Sequence, residues 1–281
     1  MNAAKKLREI VALATVVVVV VGLSVAIPST QARASQIAYE GFRQSFPLYA
    51  NSGTGFAGPW TQGGFNAFAS GYTARERSLC FKNLRAGEGG SVTGEAFSAI
   101  NGAVRNLEQP LGASGTTAYL SFLIQPRGSL NEGVFNGFFG LTLNGSLGRD
   151  LFIGKPGGGT PEQYVLEERG GLGQVSSGVP TVVGRVTLLV VKAQFQAGAD
   201  VFTLYVNPTP GQPEPGSNVV KTDVDLGAVS RIGIYSTGAF AIDEIRIGTT
   251  YADVVPTAGK KSHHDDDDDD NEARGCRNRQ E

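Results

Sequence analysis

The chain has 281 residues and a formal net charge of −2 at pH 7. A near-neutral balance without a basic patch argues against nucleic acid as a partner. Glycine supplies 39 residues, about twice its usual share of roughly 7%. No sustained helical periodicity accompanies this glycine content, which therefore indicates short strands joined by many turns.

The first 34 residues have the pattern of a signal peptide. Three basic residues precede an almost unbroken apolar run from Ile10 to Ile27, and Pro28 ends it. Ala32-Arg33-Ala34 is a small-x-small cleavage signature, so we expect the cut before Ser35. The alternative is an uncleaved membrane anchor, because the run is just long enough to span a bilayer. Both interpretations predict that the remainder is exported, as a secreted or cell-envelope protein.

The other end of the chain changes composition abruptly. After a domain predicted over residues 35–256, residues 257–281 contain His263, His264 and the six consecutive aspartates Asp265–Asp270. A block of like charges buries too little surface to offset the entropy of ordering the chain. We therefore expect a disordered, Asp-rich tail.

Between these ends, short apolar segments recur with turn signals between them. The longest is apolar on both faces, as a central strand is. The strands predicted in chain order are Tyr39–Phe42, Leu79–Asn83, Ser91–Phe97, Ala118–Gln125, Phe135–Leu143, Asp150–Gly154, Gln163–Glu168, Val182–Phe195, Val201–Val206, Val219–Leu226, Arg231–Tyr235 and Ala239–Ile247. Without βαβ alternation, this pattern predicts an all-β, antiparallel two-sheet sandwich.

Three connections have the residues of a β-hairpin. Asn144-Gly145 favours a tight turn between two strands, and Gly198–Asp200 is expected to join the next pair. Ser236-Thr237-Gly238 separates the last two segments and is also interpreted as a hairpin connection.

The apolar residues of the last segment do not all fall on one face of a regular strand. Phe240 and Ile242 share one face of an extended strand, whereas Ile245 and Ile247 share the other. Burying both pairs requires a β-bulge at Asp243-Glu244. The alternative keeps one register and buries Asp243, which then needs backbone N–H groups or a cation as partners.

Several of these segments resemble exported bacterial concanavalin A-like (LamG-like) jelly-roll domains. The residues that carry the resemblance are Tyr39–Phe42, Gly53–Trp60, Val191–Phe195, Ala199–Pro208 and Ala241–Gly248. The resemblance implies a jelly-roll β-sandwich with a concave face that often accommodates carbohydrate. It does not imply an activity, since members include lectins, adhesion modules and glycoside hydrolases.

The residues themselves argue against conventional hydrolysis. Both histidines lie in the tail, so a Ser-His-Asp or Cys-His arrangement is not expected in the domain. Glycosidases of this fold use Glu-x-Asp-x-Glu on one strand, and the chain lacks that motif. Asp223 and Asp225 share a face if extended, whereas Glu167-Glu168 and Asp243-Glu244 are each expected to point to opposite faces. We predict no catalytic residue.

Ligand binding is the remaining prediction about sites. Trp60, Tyr72 and Asn207 are the candidate ligand-binding residues, and packing of Trp60 against the sandwich is the alternative. Asp243, Asp265 and Asp266 are the candidate metal ligands, with calcium the expected ion if one binds.

The sequence does not decide whether the two cysteines are free thiols or form a disulfide. Cys80 is interpreted as a small buried hydrophobe, and a disulfide to Cys276 is the alternative that export permits.

Taken together, these features predict an exported non-enzymatic module that binds a glycan or mediates surface adhesion. A purely structural extracellular or envelope protein and a divergent glycoside hydrolase are the alternatives. No nucleic acid partner or other cofactor is expected, and membrane contact is expected only through an uncleaved leader.

Overall fold

The computed structural model describes residues 36–43, 52–62, 71–87, 89–158, 162–216 and 219–258. Within them the chain forms antiparallel strands in two sheets, because most strands carry apolar side chains at alternate positions and bury that face. The predicted two-sheet jelly-roll β-sandwich is confirmed.

The eight-stranded sheet has the order β13-β12-β11-β6-β15-β4-β3, and β1 also pairs with β15. All of its pairings are antiparallel, and the last strand lies in its interior. Its strands are β1 (Gln36–Glu40), β3 (Tyr72–Arg75), β4 (Ser91–Gly94), β6 (Thr117–Pro126), β11 (Thr187–Gln196), β12 (Gly198–Val206), β13 (Val219–Val224) and β15 (Phe240–Gly248).

The seven-stranded sheet has the order β10-β9-β8-β7-β14-β5-β2. Its pairings are also antiparallel. Its strands are β2 (Thr61–Gln62), β5 (Asn101–Leu111), β7 (Phe139–Gly145), β8 (Asp150–Lys155), β9 (Gln163–Glu168), β10 (Leu172–Pro180) and β14 (Val229–Ser236).

Two single turns of helix complete the described elements. The turn α1 (Val134–Gly137) is irregular, because Phe135 and Asn136 both have left-handed backbone angles. The turn α2 (Tyr251–Val254) begins with a capping box between Thr250 and Asp253. No helix in the described ranges is long and apolar enough to cross a membrane.

Two of the three predicted hairpins are present, and the third is wrong. Strands β7 and β8 pair as expected, but Asn144 and Gly145 lie at the end of β7 and the turn follows at residues 146–149. Strand β11 pairs with β12 as expected. The second of these turns lies earlier than predicted, because β12 already begins at Gly198. The hairpin predicted at Ser236–Gly238 is wrong, since β14 belongs to the seven-stranded sheet and β15 to the eight-stranded one. This connection crosses from one sheet to the other.

Several predicted strand bounds also differ from the structure. Leu79–Asn83 lies outside the strands, and Phe135 lies in the irregular turn α1, four residues before β7 begins at Phe139. Strand β5 was not predicted, because it places the charged Arg105 on its buried face. The edge strand β10 was also missed, since its mostly exposed residues need no apolar alternation.

The last strand contains the predicted β-bulge. Asp243 pairs with Leu123 and Arg246 with Ser121, so β15 has one extra residue between these positions. Glu244 absorbs it with a φ of 54°. The bulge turns Phe240, Ile242, Ile245 and Ile247 all toward the core between the sheets.

Aromatic rings join the two sheets across this core. Phe139 of β7 stacks on Phe240 of β15 with 5.8 Å between ring centroids and an angle of 1° between the planes. A second apolar cluster lies on the other face of the eight-stranded sheet. There Leu79, Leu84, Tyr251, Val254 and Val255 pack over residues of β6, β11, β12 and β15.

Cys80 lies between Leu79 and Leu84, which belong to this second cluster. It is disulfide-bonded, so the interpretation of Cys80 as a free buried thiol is wrong. The other cysteine of the sequence, Cys276, lies outside the described residues, as does the predicted acidic tail.

Candidate functional site

The predicted ligand-binding residue Trp60 lies inside the sandwich, with 2% of its surface exposed. Its ring stacks on Phe42 with 6.1 Å between centroids. Its Nε1 donates a hydrogen bond of 3.2 Å to Oε2 of Glu40. Trp60 therefore has the alternative, packing role, and its ring offers no open face to a ligand.

Tyr72 and Asn207 also have structural roles. The Tyr72 hydroxyl donates to the Asn101 carbonyl at 3.0 Å, and burial raises its pKa. Asn207 adopts a φ of 56°, and its Oδ1 accepts a hydrogen bond of 3.1 Å from the Leu188 N–H. Asparagine tolerates this left-handed conformation, so Asn207 shapes the turn after β12. The structure does not bring these two residues together with Trp60 in an exposed site.

The candidate metal ligand Asp243 is fully buried beneath the segment that contains Leu79. Its two oxygens accept hydrogen bonds of 2.8 Å from the Leu79 N–H and 2.7 Å from the Glu244 N–H. Burial, followed by the charge of Glu244, raises the pKa of Asp243 well above its usual range. The partners of Asp243 are thus backbone N–H groups.

Because of the bulge, the side chain of Glu244 does not point to the face of the sheet opposite Asp243, as a regular strand would require. Its carboxylate accepts hydrogen bonds from the Gly87 N–H at 2.8 Å and the Tyr39 hydroxyl at 3.1 Å, and it pairs with Arg246. Both carboxylates of the Asp243-Glu244 pair consequently lie on the same outer side of the sheet. The expectation of opposite faces assumed a regular strand.

No metal centre is formed by the described part of the chain. Within it, no group of three or more His, Cys, Asp or Glu residues is placed to hold an ion. Asp265 and Asp266 lie outside the described residues, so calcium binding there stays a prediction.

Asp223 and Asp225 do not form a carboxylate pair on one strand. Strand β13 ends at Val224, and its register shifts between the partners of Asp200 and Phe202. Asp223 is exposed and pairs with Lys221 at 2.7 Å, and that hydrogen bond lowers its pKa. Asp225 instead accepts the Gly227 N–H at 2.9 Å.

The outer face of the seven-stranded sheet collects polar side chains from neighbouring strands. Strand β7 turns Leu141 and Leu143 into the core, which places Thr142 and Asn144 on the other face. Cross-strand pairing puts Asp150 beside Asn144, Asn144 beside Arg231, and Arg231 beside Asn106. These four residues, Asp150, Asn144, Arg231 and Asn106, form what we call the polar row, which crosses β8, β7, β14 and β5.

An aromatic ring lies beside the polar row. Gly233 lacks a side chain, and a Cβ there would lie 2.7 Å from Cε2 of Tyr235. The Tyr235 ring therefore extends along the sheet over Gly233 toward the polar row. The guanidinium of Arg169 lies 5.2 Å from the centre of this ring and pairs with Asp150 at 3.2 Å. Tyr235 is 4% exposed beneath it.

A protonatable carboxyl borders this face. Glu167 of β9 pairs with Phe152 of β8, so its side chain lies on the same outer face. It accepts a hydrogen bond of 2.7 Å from Nε2 of Gln174. Burial raises the pKa of Glu167, although this hydrogen bond opposes the shift. Glu168 lies on the other side of β9 and pairs with Arg149, as expected for adjacent residues of a regular strand.

A surface depression elsewhere is less suited to a sugar. It is lined by Gln36, Ile37, Glu108, Gln109 and Thr249. This lining contains one carboxylate and no aromatic ring, so the depression lacks both a carboxylate pair and a surface on which a sugar ring could stack.

The polar row was missed at the sequence level although its signal was present. The alternation Gly-Leu-Thr-Leu-Asn in β7 and Arg-Ile-Gly-Ile-Tyr in β14 separates core positions from outer positions. The order of the strands, which places these outer positions side by side, is a property of the sheet.

The fold and this face define an antiparallel jelly-roll sandwich whose seven-stranded sheet carries a polar row beside a tyrosine.

No family model matches the chain, and no curated protein matches it. Similar solved structures include the endo-1,3-beta-glucanase from Streptomyces sioyaensis, with 9% identity, a TM-score of 0.48, and coverage of 79% of this chain and 98% of that one.

The T. cruzi calreticulin globular domain is also similar, at 11% identity and a TM-score of 0.42, covering 66% of this chain and 86% of that one. The Emp47p carbohydrate recognition domain has 12% identity and a TM-score of 0.36, covering 64% and 89%.

Proposed function

We propose that the chain is an exported, non-enzymatic module that binds carbohydrate, and that its binding surface is the outer face of the seven-stranded sheet. The observation that carries the proposal is the polar row beside Tyr235. It combines a carboxylate, two amides and a guanidinium within four adjacent strands.

These groups suit the hydroxyls of a sugar. Asp150 accepts hydrogen bonds, Arg231 donates them and Asn106 does both. Asn144 is 4% exposed, and its Oδ1 accepts a hydrogen bond from the Thr142 hydroxyl, so it supports the row from within the sheet. A ligand site typically combines a few converging polar groups with an apolar or aromatic surface. Arg231 and Asn106 are exposed, and the Arg169 side chain, which covers Tyr235, is 30% exposed. Displacement of Arg169 by a ligand would uncover the ring.

The carboxylates favour binding over catalysis. Asp150 is held by Arg169, and Asp223 by Lys221. Glycoside hydrolysis needs two carboxyl groups with different protonation states on either side of one bond. Ion-paired carboxylates of this kind serve better as fixed hydrogen-bond acceptors.

Export is the second part of the proposal, and it rests on the signal-peptide pattern of residues 1–34. Expression of the full-length sequence with its leader, followed by N-terminal sequencing of the exported product, tests it. We expect the product to begin at Ser35. Retention of residues 1–34 in a membrane fraction would support the anchor instead.

A glycan array tests carbohydrate binding. The protein, expressed from its full-length sequence, is applied with and without calcium. Arg231→Ala should lose at least about tenfold in affinity for the glycans that the wild type binds. The matched control is Arg185→Ala, because Arg185 is also exposed but lies between β10 and β11. Wild-type protein that binds no glycan would favour a purely structural role.

Glu167 supports a second candidate function, a divergent glycoside hydrolase. Glu167 is a carboxyl with a raised pKa, as a general acid requires. Asp150 is its diagonal neighbour across β9 and β8, so the two carboxyl groups lie on one face of the sheet, as a pair acting on one glycosidic bond requires. Release of reducing ends from a bound glycan, abolished by Glu167→Gln, would establish this activity and contradict the non-enzymatic proposal.

A further inference from the structure

Phe135 lies in α1, at one end of the seven-stranded sheet, and its ring is exposed. Its backbone conformation is also unusual. Phe135 is 63% exposed, although a large apolar side chain normally gains free energy by burial. Phe135 and Asn136 have φ angles of 52° and 60°. Left-handed angles are uncommon outside glycine, and for a bulky residue they are outliers that surrounding structure must hold in place.

Contacts on both sides hold this turn. Nζ of Lys155 donates to the Asn136 carbonyl, and the Gly158 N–H donates to the Phe135 carbonyl at 3.1 Å. The Thr237 hydroxyl donates to the Val134 carbonyl at 2.6 Å. All of these contacts are made by the backbone of the turn. The Phe135 ring is therefore presented by the turn and is not needed to hold it.

The turn adjoins the proposed binding face. Lys155 ends β8, the strand that carries Asp150 and Phe152. The ring of Phe138, which follows the turn, meets Phe152 edge to face with 6.0 Å between centroids. Phe152 lies on the outer face, next to Thr142. The residue that directly follows α1 therefore packs on the outer face of the sheet.

We propose that Phe135 is a stacking residue for the apolar C–H face of a pyranose ring. The polar row binds hydroxyls at one end of the face, and Phe135 binds a further sugar unit at the other. This inference rests on the proposed carbohydrate binding and adds that the ligand is an oligosaccharide, because one ring cannot reach both ends. One outer position, Phe152, lies between Asp150 and Gly154 on β8, and these two residues are about 13 Å apart at the usual rise of a strand.

The test compares two variants of Phe135 with a matched control. Phe135→Asn removes the ring and keeps a residue that tolerates the left-handed backbone. Phe135→Trp keeps an aromatic surface. Leu172→Asn is the control, because Leu172 is 64% exposed but begins the edge strand β10, away from α1. Affinity is measured for mono- and oligosaccharides of a glycan identified on the array.

We expect Phe135→Asn to weaken oligosaccharide binding about tenfold, with no change for the monosaccharide and none for Leu172→Asn. Phe135→Trp should bind as the wild type does, and its exposed indole should shift its fluorescence on binding. The wild-type emission comes from the sole tryptophan, the buried Trp60, and should stay constant.

The outcomes separate the two proposals. Binding of oligosaccharide by Phe135→Asn at wild-type strength would overturn the role of Phe135 and leave the polar row intact. A melting temperature of Phe135→Asn well below the wild type would show that the ring stabilises the fold, which also contradicts the inference. Wild-type protein that binds no glycan would overturn both proposals.

Discussion

Glu40 and Arg105 form an ion pair that joins the two sheets through the interior of the sandwich. Glu40 lies on β1 of the eight-stranded sheet and Arg105 on β5 of the seven-stranded one, and their side chains are 0% and 1% exposed. Glu40 also accepts hydrogen bonds from the Phe42 N–H at 2.8 Å and the Ser52 hydroxyl at 2.7 Å. The Arg105 guanidinium lies 4.1 Å from the centre of the Phe56 ring. The Glu40 carboxylate therefore binds Phe42 and Ser52 as well as the Trp60 ring, and so holds the predicted ligand-binding residue inside the sandwich.

Loss of one partner of this pair should strongly destabilise the fold. We expect Glu40→Ala to lower the free energy of unfolding by about 3–5 kcal/mol, because it leaves the Arg105 charge buried without compensation. Urea unfolding at pH 7 measures the change. Glu108→Ala is the control, since Glu108 is exposed on the same strand as Arg105, and it should change stability by less than about 0.5 kcal/mol.

The buried carboxyl of Asp243 predicts a pH dependence of stability. Its folded pKa lies well above the ordinary 3.8, so the folded state binds a proton that the unfolded state releases. The contribution of Asp243 is consequently most favourable near pH 4 and declines as the pH rises toward the folded value. Asp243→Asn cannot ionise. The stability of this variant relative to the wild type should therefore increase with pH, as melting temperatures at pH 4 to 8 would show. A difference that stays constant over that range would contradict the prediction.

Glu214 should hold the proline-rich loop after β12. It accepts hydrogen bonds from the hydroxyls of Tyr119 and Tyr205 and from Lys192. Burial raises the pKa of Glu214, but these hydrogen bonds outweigh it and the net shift is downward. Its stabilisation is thus present above pH 4.5 and is lost as the pH falls through the lowered folded value.

The matching measurement is hydrogen exchange of the loop. We expect Glu214→Gln to increase exchange over residues 207–216 at pH 7 and to remove its acid sensitivity. Protection unchanged from the wild type would show that the prolines alone order the loop.

Gly233 should be essential to the proposed binding face. A Cβ at this position would lie 2.6 Å from Oγ1 of Thr142 and 2.7 Å from Cε2 of Tyr235. Gly233→Ala should therefore displace the Tyr235 ring, lower the free energy of unfolding by about 1–3 kcal/mol, and weaken glycan binding. Gly216→Ala is the control, because a Cβ there meets nothing within 4 Å. Equal melting temperatures for the two variants would contradict the placement of the ring.

The sequence alone was informative wherever local alternation decided the outcome. Strands β7 to β9 follow from apolar residues at every second position, and β6 and β11 follow from longer apolar runs, with turn residues between the segments. The phase change between Ile242 and Ile245 likewise predicted a bulge on the condition that both apolar pairs are buried, because two buried pairs cannot share one register. The sequence therefore determined the fold class and most of the strands, and it left the bulge as one of two alternatives.

Tertiary structure decided which residues meet. Alternation cannot show that β14 and β15 belong to different sheets, since each sheet buries one apolar face equally well. The buried sites of Trp60 and Asp243 depend on Glu40 and on the segment around Leu79, which are distant in sequence. The polar row likewise joins residues of β5, β7, β8 and β14, because side chains become neighbours only once the order of the strands is fixed.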